Sequence, residues 1–133
     1  MNYFEVDGKS YDVIVTNIQR SAEIMQSENA GVTIGSGAEE ILDPIGTFVS
    51  YSVTVKRRKG HEKEFDELWD ILTRPIYDGV FVNIVYNQST IKFKAKFSVD
   101  AQSIERIDKK TGKVYWGEMN INIVPIKAQV LPE

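Results

Sequence analysis

His61 is the only histidine of the 133-residue chain, and it follows Gly60 at the point where the sequence predicts the start of a helix. Imidazole is the one side chain that ordinarily exchanges a proton near neutral pH, so general-base or ligand chemistry would fall to this residue. A serine nucleophile would need the same ring, and no Gly-x-Ser-x-Gly elbow occurs in the sequence. The ordinary role of a lone histidine at a helix start is a surface or capping one, and that is the expectation for His61. No cysteine is present, which removes thiol nucleophiles, disulfide frameworks, iron–sulfur clusters and thiolate zinc sites. Asp66, Glu67 and Asp70 fall beside the apolar stripe of the same predicted helix, where a solvated face accounts for them without a paired-carboxylate mechanism. The sequence therefore reads as non-enzymatic, with no catalytic set, no metal-ligand set and no cofactor.

Two segments could hold anions. Gly31-Val32-Thr33-Ile34-Gly35-Ser36-Gly37 has the glycine content of a phosphate loop, but it lacks the Gly-Lys-Ser/Thr ending and the strand–loop–helix setting. It reads better as an arm. Its glycines supply conformational freedom, and Val32, Ile34, Ile41 and Leu42 supply an adhesive surface for another chain; a loop folded back on its own domain accounts for the same residues equally well. The second segment type is basic: the run Lys56-Arg57-Arg58-Lys59 and the stripe Lys92, Lys94, Lys96. Each could neutralise phosphates, yet the aromatic interleaving that single-strand binding needs is missing beside them. A solvated strand face is the favoured reading, with ion pairing to a neighbouring subunit's acids as the other use. The formal charge of −3 and a pI near 5.3 argue against wholesale nucleic-acid or membrane binding. Trp69, Tyr86, Tyr115 and Trp116 could instead line a pocket for carbohydrate or another flat ligand, although aromatic side chains more often fill a core.

The elements that must position these residues are legible from periodicity. At this length one domain, 1–133, is expected, and 42% hydrophobic residues supply a core. Asp7-Gly8-Lys9-Ser10 between apolar runs at 3–6 and 11–15 predicts an opening hairpin. A loop or arm follows at about 27–46; roughly 20 residues exceeds the usual loop length and marks it as functional, mobile or hiding a short strand near 39–42. Val49, Tyr51, Val53 and Val55 then alternate with Ser50, Ser52, Thr54 and Lys56, a strand with one buried face. The period changes to helical over about 61–73, with Phe65, Leu68, Trp69 and Leu72 as core anchors, Glu62 and Glu64 at the N-terminal end and Pro75 as the stop. Strands at 80–86 and 90–99 form a hairpin through Asn87-Gln88-Ser89. A shorter strand around 103–107 turns through Asp108-Lys109-Lys110-Thr111-Gly112 into Val114-Tyr115-Trp116 as another hairpin, the start of a long strand segment from about 113 to 128 in which Met119, Ile121 and Ile123 alternate until Pro125. The sum is a mainly β α+β domain, an antiparallel sandwich or partly closed barrel with one packed helix. No signal peptide or spanning segment is recognisable, so synthesis and folding are expected in the cytoplasm.

Residues 45–55 followed by 65–75, and 91–99 followed by Trp116-Gly117-Glu118-Met119-Asn120-Ile121, resemble small tail proteins of tailed bacteriophages and prophages. The order of long strand, helix, strand pair and final strand is similar to the fold shared by tail-tube proteins and the N-terminal domains of distal tail proteins. The resemblance spans roughly 45–128. It implies a structural virion protein of the tail or baseplate that assembles with itself into rings, commonly hexameric, and with other tail proteins. The opening hairpin and the loop would be its inter-subunit arm. The lysine-rich face departs from the acidic lumens usual in that family.

Overall fold

In a computed structural model, residues 3–27, 31–32 and 40–132 are described. In chain order the elements are β1 (Phe4–Val6), β2 (Val13–Gln26), β3 (Gly31–Val32), β4 (Glu40–Ile41), β5 (Pro44–Arg57), α1 (Glu62–Thr73), β6 (Val80–Tyr86), β7 (Ser89–Val99), β8 (Ile104–Asp108), β9 (Lys113–Trp116) and β10 (Met119–Pro125). Six of them form an antiparallel sheet in the order β1-β6-β7-β10-β5-β2, and β3-β4 and β8-β9 are two-stranded sheets. The fold is mainly β, a curled half-barrel with one helix packed against it.

Alternation dictates which face is buried. Val49, Tyr51, Val53 and Val55 from β5, Val80, Val82 and Ile84 from β6, Phe93 and Ala95 from β7, and Met119, Ile121 and Ile123 from β10 all turn inward. Register enforces this, since Ile121 faces both Val53 and Val99. The helix covers that inner face with Phe65, Leu68, Ile71 and Leu72. Its stripe differs from the expected one at a single place: Trp69 is 36% exposed at the rim, and Ile71 takes the buried position. The buried set keeps the 3-4 spacing, with Ile71 three residues after Leu68, but on the opposite flank from Trp69, so the face against the sheet is turned slightly about the helix axis from the expected one. Arg74 leaves the helix in extended conformation ahead of Pro75.

The opening hairpin is not formed. Asp7 and Gly8 both have positive φ and join Val6 to Lys9 by two backbone hydrogen bonds of 3.0 Å, the tight turn the sequence encodes. After that one bridge the strands separate: β1 pairs with β6, and β2 pairs with β5 at the opposite edge of the sheet. Only residues 7–12 connect the two edges. A flat six-stranded sheet would set those edges about 24 Å apart, a span the segment could barely reach even without a turn in it, so this connection requires the curl. Contacts across the interior close it further. The Tyr51 hydroxyl donates to the Val85 carbonyl at 3.0 Å, the Tyr51 and Phe93 rings stack at 6.1 Å, and Arg20 donates to the Asn87 side chain at 2.9 Å.

Of the stretch expected as a loop or arm from 27 to 46, residues 28–30 and 33–39 lie outside the described residues; of the rest, 31–32 and 40–41 pair as β3 and β4, and 44–46 belong to β5. β2 and β5 stay paired from Val13↔Arg57 to Gln26↔Pro44, and the short strand expected near 39–42 is present as β4. A bulge between Val15 and Asn17 moves the inward phase of β2 from Val13 and Val15 to Ile18, Arg20 and Ala22, so no single period runs through the strand.

Candidate functional site

β10 pairs with β5 only over residues 51–55, so the paired segments 21–26 and 44–50 extend past the end of the central strand as a two-stranded ribbon. The C-terminal segment braces its root. Thr47 bonds Val130 and Gln129 through the backbone, and the Gln129 side-chain amide serves the Val49 backbone twice, accepting from its N–H at 2.9 Å and donating to its carbonyl at 2.8 Å. A primary amide thus stands in for the strand that β10 no longer supplies. The chain passes so close at Gly46 that an added Cβ would lie 2.6 Å from the Ala128 Cβ and 2.8 Å from the Val130 carbonyl oxygen.

Apolar side chains are exposed along this ribbon and its turn: Ile24 at 62%, Leu42 at 66% and Ile45 at 50%. Of the residues expected to form an adhesive arm, Leu42 is therefore in open solvent. Ile34 lies outside the described residues, as do the side chains of Val32 and Ile41, whose backbones pair within β3-β4. The outer side of β2 carries no further strand among the described residues, leaving a 14-residue edge. Its bulge and the inward-turned Arg20 are devices that limit indiscriminate pairing at such an edge.

Lys92, Lys94 and Lys96 alternate outward along β7, as expected. The Lys92 and Lys94 ammonium groups sit 5.0 and 5.2 Å from the centre of the Phe81 ring, which is itself 43% exposed. None of the three lysines has an ion-pair partner among the described residues. A groove of about 790 Å³ opens beside them, lined also by Tyr77, Ile126 and Lys127. Phe81 had a visible signal in the sequence, because it is an aromatic residue on the face opposite Val80 and Val82. The part played by Gln129 had none.

The other basic segment is largely neutralised. Lys56 pairs with Glu118 at 3.3 Å, Arg57 with Glu105 at 2.6 Å and Arg58 with Asp12 at 2.7 Å. The four aromatic residues considered for a ligand pocket are dispersed. Tyr86 stacks under Arg20, and Tyr115 is surrounded by Arg57, Arg106 and Lys113. Trp69 and Trp116 share a cleft of about 350 Å³ with Asp66 and Asp70 on its walls, and Tyr115 and Trp116 line another among Arg57, Arg106 and Lys113. Burial, and then the nearby Asp70 and Glu62 charges, push the Asp66 carboxyl above its usual range.

His61 does not cap the helix with its side chain. Its Nε2 lies 3.2 Å from Asp12 and its Nδ1 lies 3.1 Å from Glu64. The carboxylates occupy opposite ring nitrogens, and Asp12 is shared with Arg58. These contacts tie the 7–12 connection to the helix start, and one ligand atom each from Asp12, His61 and Glu64 lie within 4.8 Å of one another, a spacing that could hold a metal ion. No protein-family model matches the chain, and no curated protein matches it.

Proposed function

We propose that the protein is a non-enzymatic assembly subunit, of the kind found in bacteriophage tails or baseplates, that builds homo-oligomeric rings in the virion through its sheet edge and its ribbon. The observation that carries this reading is the β2–β5 ribbon, which projects past the core with an open edge strand and with Ile24, Leu42 and Ile45 in solvent. An open edge presents unpaired backbone donors and acceptors, and exposed aliphatic side chains beside it gain from burial against a second chain. Head-to-tail use of such a surface closes into a ring when the rotation permits. The tail-protein resemblance supplies the phage setting and the hexamer.

Mass photometry and electron microscopy of negatively stained protein test the proposal. A closed ring, alone or with neighbouring tail proteins, is the expected outcome; a strict monomer at high concentration in both conditions overturns it. The Trp69–Trp116 cleft supports a second reading, a carbohydrate-binding module. Indole fluorescence that does not respond to a panel of sugars would remove that alternative.

A further inference from the structure

The ribbon and the outer face of β7 carry opposite charges: the exposed Glu23 and Asp43 stand along the ribbon and at its end, and Lys92, Lys94 and Lys96 point outward from β7. From Ser21 to Val55 the sequence contains Glu23, Glu28, Glu39, Glu40 and Asp43 and no Lys, Arg or His. This segment also carries the exposed Ile24, Leu42 and Ile45. The groove beside β7 has the opposite character. Lys92, Lys94 and Lys127 line it without ion-pair partners among the described residues, and Phe81, Tyr77 and Ile126 expose apolar surface between them. Asp78 is the one acid on its wall.

We infer that this groove receives the acidic, apolar ribbon of a second copy of the same chain. The inference rests on the assembly reading above and deepens it by naming the receiving surface. Both halves of the chemistry match. Ammonium groups over an exposed phenyl ring offer charge to carboxylates and a flat apolar floor to aliphatic side chains, and complementary potentials fix which surfaces meet. Because ribbon and groove are different surfaces, the contact is head-to-tail, the type that propagates around a ring.

Charge reversal in two separate variants tests the pairing. Variant one carries Lys92→Glu, Lys94→Glu and Lys127→Glu; variant two carries Glu23→Lys and Asp43→Lys. Each alone places like charges in contact, so the concentration needed for assembly should rise about a hundredfold or more. Mixed in equal amounts they should assemble again, because each then meets an opposite charge, and the mixed rings should alternate the two subunits. Circular dichroism and thermal midpoints of both variants check that the fold is kept. Assembly of either variant as readily as the native chain overturns the groove while leaving the assembly reading intact. Loss in both variants with no rescue on mixing also overturns it. A native chain that never assembles overturns the assembly reading and the groove together.

Discussion

At the scale of single residues, the polar groups that matter are those standing where a backbone partner is missing. Gln129 is one: its amide fills the hydrogen-bonding positions that Val49 would give a strand. Gln129→Ala should cost about 1–2 kcal/mol, the penalty for leaving two backbone groups poorly satisfied, read as a lower midpoint in urea. Asp66 has a sign that can be worked out. Its folded-state value is raised above the ordinary one near 3.8, so between those two values the folded state binds more protons than the unfolded state. Stability from this group therefore falls as pH rises through that window, and at neutral pH the full penalty remains. Asp66→Asn should be more stable than the native chain at pH 7, with the difference vanishing once the pH is below the ordinary value. Paired denaturation curves at neutral and acid pH check it, and an unchanged difference at both would show that titration is not the cause.

At the scale of elements, the helix and the cross-interior contacts hold the curl. Leu68 is fully buried while Trp69 keeps about a third of its surface in solvent at 36%. Leu68→Ala should then cost about 2–5 kcal/mol, and Trp69→Ala clearly less than Leu68→Ala despite the larger side chain. The opposite order in a urea titration would mean that the indole, not the aliphatic stripe, anchors the helix. Tyr51→Phe should cost about 1 kcal/mol, because it leaves the Val85 carbonyl without the donor that spans β5 to β6.

At the scale of the whole molecule, stability and assembly should separate. The connection between Gln26 and Pro44 lies beyond the last paired residues of β2 and β5. Deleting residues 29–38 should leave the unfolding midpoint of the monomer almost unchanged, since closure entropy depends only logarithmically on loop length, while ring formation is lost. Thermal unfolding and mass photometry on the same sample check both halves. A deletion that unfolds the monomer would show that these residues belong to its own core.

The sequence by itself determined the inner face of the sheet, because alternation in 49–55, 91–99 and 119–123 admits only one set of side chains to the core. It also determined the helix, whose 3.6 period and flanking Pro75 need no partner to be seen, and the outward lysines of β7. Tertiary structure alone decided where the first two strands go. The Asp7-Gly8 turn is local and forms as encoded, but strand partners are chosen by burial across the whole sheet, which sets Phe4 and Val6 opposite the buried Ile84 and Val82 of β6. Most of β2 was illegible for a related reason: an edge strand mostly in solvent has little buried face to impose a period, and its bulge shifts the phase that remains. The same holds for the site. The lysines and the arm could be named from residue type, yet their placement on separate surfaces, the position of Lys92 and Lys94 over the Phe81 ring, and the ion pairing of the 56–58 run follow from distances that only the folded chain sets.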